Sequence, residues 1–411
     1  MSDIRPFHAY RPVADKVFHV VTRSADGFSA AHVRKLIFSN PYSFLNVIFP
    51  DINSKNKTRP GSPERMKKIR AAFTEFVSRK IFIKDEKPSY YIYRQIQPLY
   101  TFTGIVGIIH SSEYQKGKIK VHEHTLLERE QKLMQYLDHV GWNAEPVLFF
   151  HDTRFSLQEI IYNFTLQNIP VYDFSTTDGN RHILWKVDHP EMVSRIYHEM
   201  KELPAVYIAD GHHRTSSSVL LANKRREQGE DEFAPSQFFM GIFFDKSELK
   251  VFEFNRLISN DCIPETDVFF EKISHNFNVK SISSPSMPPD NKKEFYVYIR
   301  NKWFSISLKE NVSYDKNSTA AGLFNTFILM PVFGIEDART DKRVQYIPGI
   351  YGTNGIMEAV DGDKFRYGFV LSPSSTQEIM QVADRGEVMP PKSTWIEPKL
   401  LNGLLIYDFN R

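Results

Sequence analysis

The stretch 205–214, Ala-Val-Tyr-Ile-Ala-Asp-Gly-His-His-Arg, constrains this chain more than any other. Residues 205–209 are apolar and suit a short buried strand. Asp210-Gly211 then makes a turn, and a helix follows from about His213 to about Gln228. The first amides of a helix lack internal partners and carry partial positive charge. Gly211 lets the backbone turn with no side chain in the way. Arg214 adds a planar donor fork suited to phosphate, and His212 and His213 add donors. Ser216, Ser217 and Ser218 keep the helix slim for close packing. Together these are the parts of a phosphate cradle. They arise without Gly-x4-Gly-Lys-Ser/Thr or Gly-x-Gly-x-x-Gly, neither of which occurs in the chain.

The scaffold around such a turn has ordinary globular makeup. The 411 residues are 41% apolar and 25% charged, with 33 Phe and 19 Tyr as core material. Length alone suggests about two or three domains. A net charge of +3, from 52 basic against 49 acidic residues, lacks the surplus of a nucleic-acid binder, and no nucleic-acid partner is expected. The single cysteine, Cys262, excludes an internal disulfide and a thiolate zinc site and fits a reducing compartment. The N-terminus carries charges where a signal peptide needs an apolar run. The longest stretch without Asp, Glu, Lys or Arg, residues 95–112, contains Pro98 and falls short of the ~20 mainly apolar residues of a membrane span. The expectation is a soluble cytoplasmic protein with no membrane partner.

Helices are expected over 29–38, from Ser62-Pro63 to about Lys80, after Thr125-Leu-Leu-Glu128, over 156–167 and 189–200, and from Ser375 to Gly386. Strands are expected over 43–49, 89–94, 100–110, 145–150 and 403–409, with pairs at 236–244/249–254 and within 294–308. Gly104 and Gly107 mark a bulge or a close backbone approach. The alternation gives a mixed α/β chain.

Two further segments carry chemistry. In extended backbone, His122 and His124 of His122-Glu123-His124 face one side and can share a metal, joined by His212 and His213. Alternatively, Glu123 is a general base and the flanking histidines orient it or touch substrate. Alone, the segment also fits a solvated loop. Met389-Pro-Pro-Lys-Ser-Thr394 stiffens its backbone with prolines and then offers Lys392, Ser393 and Thr394 to an anion, or serves as a tight connector.

In this order, the segments resemble a large family catalogued as domain of unknown function ten-fifteen. Arg5-Pro6-Phe7, Asn40-Pro41-Tyr42-Ser43-Phe44-Leu45, His122-Glu123-x-Thr125 and Pro398-Lys399-Leu400 fit it too. More distantly, the chain resembles the ADP-dependent free-serine kinases of archaea, through His122-Glu123, Asp210 to Arg214, and Arg385-Gly386-Glu387-Val388 leading to Pro391-Lys392-Ser393-Thr394. That resemblance implies a ParB/sulfiredoxin-like nucleotide-binding core over 99–258, preceded by an N-terminal α/β extension over 1–98. A C-terminal α/β domain over 259–411 would return its 389–394 loop to the site. It implies Glu123, Asp210 and His213 as catalytic residues. Gly211, His212, His213, Arg214, Lys392, Ser393 and Thr394 would hold the nucleotide, and His122, His124 and Thr125 would meet the substrate.

The implied reaction is phosphoryl transfer from ADP or ATP, with Mg²⁺, to a small hydroxylated acceptor such as free serine. The departures lie in the longer spacing between His-Glu and Asp-Gly-His-His-Arg, in an N-terminal hundred residues without counterpart, and in Ser393 where the kinase has threonine. Sulfiredoxin chemistry does not carry over, because its phosphate turn has a cysteine where His212 stands. The competing readings are a metal-dependent hydrolase using His122, His124, His212 and His213, and a non-catalytic nucleotide-binding regulator.

Overall fold

A computed structural model describes residues 2–25, 28–261, 264–338, 340–362 and 364–410. Cys262 lies outside them. The chain is mixed α/β and clusters into two compact units, 1–249 with 398–411, and 250–397. This differs from a division at 98 and 258. Residues 1–98 build no unit of their own, because their strands are hydrogen-bonded into the sheets of the first unit. The last strand likewise returns to the first unit.

The first unit is organised by a nine-stranded sheet. Its labelled strands are β1 (Tyr90–Ile96), β2 (Thr101–His110), β3 (Ile119–Lys120), β4 (Val147–His151), β5 (Tyr172–Ser175), β6 (Arg181–Val187), β7 (Val206–Asp210) and β8 (Phe238–Asp245). They lie in the order β3-β7-β4-β8-β2-β1-β6-β5, and Ile4–Arg5 adds to β2. The central strands are buried along their length, which explains their nearly continuous apolar runs. Gly104 and Gly107 sit in unbroken register, so they serve close approach and not a bulge. A β-carbon at Gly104 would stand 2.9 Å from the Phe243 carbonyl, and one at Gly107 3.0 Å from that of Arg5.

Helix α1 (Pro63–Ser78) begins at Ser62, whose hydroxyl accepts from the Arg65 amide at 3.2 Å. It buries Met66, Ile69, Phe73 and Phe76 against Phe44, Phe82 and Trp142. In the same unit, a four-stranded sheet sets Phe82–Lys84, Ala9–Pro12, Ile406–Asp408 and Trp142–Asn143 side by side.

Residues 43–49 do not form a strand. Leu45–Ile48 is a helical turn, and Ser43 accepts from the Leu45 amide at 3.3 Å. A short apolar run fits either state. The expected pairing of 236–244 with 249–254 is also absent. β8 pairs with β2 and β4, while Lys250–Phe252 pairs with Trp395–Glu397 inside the second unit.

The second unit has a six-stranded antiparallel sheet. Period-two alternation sends Ile258, Val297 and Phe369 to one core, and Leu257, Tyr298 and Val370 to another. The helix Thr376–Asp384 carries the full capping box expected at Ser375 and Glu378.

Candidate active site

β3 runs parallel to β7, with Ile119 beside Val206 and Lys120 beside Tyr207. Both segments therefore leave the sheet at the same end, one into His122-Glu123 and the other into Asp210-Gly211. β4 runs antiparallel to β7, with Leu148 opposite Asp210. Glu145 and Pro146, just before β4, thus arrive at that end as well. The register of β7 shifts between Ile208 and Asp210, a local break of the kind that re-aims side chains beside functional sites. Helix α3 (His212–Glu227) starts immediately, with Gly211 at φ 104° as its N-cap. Only glycine takes that conformation without strain.

The expected slimness of α3 is realised. Ser217 and Ser218 are buried, and the Ser217 hydroxyl donates to the Glu130 carbonyl at 3.0 Å. Glu130 belongs to helix α2 (Leu127–Val140). The predicted capping box at the start of α2 does not form. Leu126 is the N-cap and makes no side-chain bond, Thr125 donates to Glu130, and Glu128 pairs with Lys132 at 2.6 Å.

His122 and His212 pack edge to face with ring centroids 4.6 Å apart. Both are buried. Burial pushes the His122 imidazole down to about 4, against a small opposing pull from the Ile208 backbone. Burial also pushes His212 well below the usual histidine range, helped by the charges of His122, His213 and Arg214. Both rings are neutral near pH 7. The Nε2 of His212 accepts from the His122 amide at 3.4 Å, which assigns the ring proton to Nδ1. That Nδ1–H faces the Glu123 carboxylate at 3.7 Å. The contact is therefore a neutral donor near an anion, and His212 brings no positive charge to Glu123. The Glu123 side chain remains 38% exposed. His213 is also pushed down, by burial first and by Arg129 second, and its Nδ1 is buried without a hydrogen-bond partner among the described residues.

Arg214 reaches the other side of the turn. Its guanidinium pairs with Glu145 and with Asp210 at 3.3 Å, and donates to the Pro146 carbonyl at 3.1 Å. Lys399 stands 3.9 Å from the same Asp210. Two carboxylates and two cations thus frame the start of α3. Local sequence pattern missed Glu145, whose partner Arg214 lies on helix α3, far along the chain. Lys399 had a signal in Pro398-Lys399-Leu400, although nothing local tied it to Asp210.

The four-histidine metal reading fails on geometry. β3 ends at Lys120, so 122–124 is not regular extended backbone, and His122 is buried where His124 is exposed. Among the described residues, no group of three or more His, Cys, Asp or Glu is placed to hold a metal.

Lys392, Ser393 and Thr394 belong to the second unit. Lys392 has φ 53°, its carbonyl accepts from Arg256 at 3.3 Å, and its Nζ lies 5.3 Å from the centre of the Phe254 ring. The Ser393 hydroxyl donates to the Pro390 carbonyl at 2.6 Å. No helix among the described residues is long and apolar enough to cross a membrane.

The family described as "Protein of unknown function (DUF1015)" matches residues 4–328. A comparison with curated proteins gives no match. Among solved structures, a free serine kinase in complex with AMP is 14% identical, covering 71% of this chain and 87% of its own, at a TM-score of 0.34. A C-terminally truncated SbnI from Staphylococcus aureus is 11% identical, covering 72% and 85%, at 0.38. A conserved hypothetical protein from Pyrococcus furiosus is 14% identical, covering 71% and 89%, at 0.32. Overlaps this loose leave the site to rest on the chain's own geometry.

Proposed function

The chain belongs to the DUF1015 family, whose name leaves its activity open, and we propose that it binds a nucleotide at Gly211–Arg214 and transfers a phosphoryl group to a small hydroxylated molecule. The observation that carries this reading is the meeting of Glu123 with the start of α3, through the neutral His212 at 3.7 Å. A carboxylate beside an anion-favouring helix start is the pairing that base-assisted phosphoryl transfer requires.

In this reading the α3 amides and His213 receive phosphate oxygens. Glu123 accepts the proton of the attacking hydroxyl, and the His212 Nδ1–H holds its orientation. Arg214 exchanges one carboxylate for a phosphate when the nucleotide arrives. Asp210, with its side chain 47% exposed, is the carboxylate best placed for that exchange. Mg²⁺ would neutralise phosphate charge, and the carboxylate set fits it, because this ion is commonly held by one or two carboxylates together with the phosphates. ADP and ATP are the candidate donors, and free serine is the first acceptor to try, from the motif resemblance. Lys392, Ser393 and Thr394 are further proposed phosphate contacts, and His122, His124 and Thr125 proposed substrate contacts.

The test is a phosphotransfer screen of ADP and ATP against serine, other hydroxy-amino acids and small alcohols, read by mass spectrometry with and without Mg²⁺. A phosphorylated product that needs both nucleotide and Mg²⁺ supports the reading. Tight nucleotide binding without product across the panel would replace it with a regulator.

A further inference from the structure

The two terminal nitrogens of Arg214 are held unequally. Nη1 pairs with Glu145 and also donates to the Pro146 carbonyl at 3.1 Å, so the residues before β4 grip it twice. Nη2 meets Oδ2 of Asp210 at a longer 3.3 Å. That same Oδ2 faces the Nζ of Lys399 at 3.9 Å. One carboxylate oxygen is thus shared by two cations, one from the start of α3 and one from near the end of the chain. The Asp210 and Lys399 side chains are both partly exposed. A loose, solvated pair of this kind contributes little at rest and costs little to rearrange.

Lys399 reaches this place on a fixed segment. Asn402 exchanges backbone hydrogen bonds with Thr22 at 2.8 and 3.1 Å, and the Gly403 amide donates to the Ala144 carbonyl at 3.2 Å. Ala144 directly precedes Glu145, so the segments that carry Lys399 and Glu145 are tied together.

An anion drawn to Nη2 takes the place of Asp210 and leaves that carboxylate close by. Like charges so near repel unless a cation stays with one of them. We propose that Lys399 is a positioning residue for phosphate binding, which keeps Asp210 neutralised and drawn aside while Nη2 of Arg214 takes the anion. Nη1 stays anchored throughout, so the exchange moves one carboxylate and leaves the guanidinium in place. The proposal rests on the phosphate-binding half of the reading above and adds a residue that reading does not use.

The experiment is calorimetric titration of the intact chain with ADP and pyrophosphate, run as a double-mutant cycle over Lys399 and Asp210. Lys399→Gln weakens both ligands about tenfold. Lys399→Arg keeps the charge and stays within about threefold of the parent. With Asp210→Asn already in place, Lys399→Gln costs at most about twofold, because no carboxylate is left to hold. A lysine that only props the fold, or one that itself touches the phosphate, loses as much affinity in that background as in the parent. Equal losses in the two backgrounds therefore overturn the proposal, and so does a Lys399→Gln protein that binds both anions as the parent does. A parent that binds neither anion overturns it together with the nucleotide reading. The expected cycle with no phosphorylated product from any nucleotide would sink the transfer reading and leave this one intact. Product formed without the cycle would do the reverse.

Discussion

The turns at 210–214 and 389–394 use similar residue types with different partners. Each offers cations, small polar side chains and a stiff or sharply turning backbone. In the first, the charged groups come from separate strands and meet at a helix start, with Asp210 and Glu123 still partly exposed. In the second, much of the polar capacity maintains the turn itself. Ser393 binds the Pro390 carbonyl, and the Lys392 carbonyl receives Arg256. Residue type therefore says little about whether a polar turn faces a ligand or its own backbone. The decisive question is which hydrogen bonds the fold has already taken.

The largest effect expected from that contrast is at Glu123. If the first turn works as proposed, Glu123→Gln lowers kcat by about 10²–10⁴-fold with nucleotide affinity nearly kept. Single-turnover kinetics beside calorimetry check this, and an active variant would remove the carboxylate from the mechanism.

Acid comes next. Thirteen of the 14 histidines fall outside 250–397, where His275 stands alone. His122 and His182, both pushed by burial to about 4, favour the neutral form in the folded state. Their stabilising contribution is complete above the unfolded value near 6.5 and is lost as pH falls toward 4. For His122 alone this amounts to about 3 kcal/mol. Hydrogen exchange read by mass spectrometry should show the first unit loosening before the second between pH 6.5 and 4. Simultaneous loosening would contradict the histidine account.

A smaller effect is expected at Gly211. At φ 104°, a β-carbon would stand 2.9 Å from Nε of Arg214. Gly211→Ala should cost about 1–3 kcal/mol in denaturant titrations and disturb the Arg214 pairings. The smallest concerns Lys392, which holds a left-handed φ of 53°. Lys392→Gly relieves that conformation and should leave stability unchanged or raise it by up to about 1 kcal/mol. A drop in nucleotide affinity at unchanged stability would mark the second turn as a ligand contact. Unchanged affinity would leave it a connector.

The sequence made the strand–turn–helix at 206–227 legible, because an apolar run, Asp-Gly and a helical pattern stand side by side. Ser62-Pro63 and Ser375 through Glu378 were legible for the same reason, since a cap and its partner lie within one turn. Thr125 shows the limit, for its hydroxyl went to Glu130 and the box it spelled stayed open. The roles of Glu145 and Lys399 were illegible, since each depends on a residue brought up from far along the chain, Arg214 on α3 and Asp210 at the end of β7. The fate of 43–49 was equally closed to pattern, as a run of that length suits a helical turn and a strand alike.

The last strand, Ile406–Asp408, lies between Ala9–Pro12 and Trp142–Asn143. On the ribosome, the space it fills stays vacant until all of 250–397 has been made. The nascent first unit must wait, with Tyr10 and Trp142 short of a neighbour, while an entire second body emerges and can fold ahead of it. Chaperone dependence during synthesis, and poor tolerance of shortened variants ending before 398, should follow from that delay.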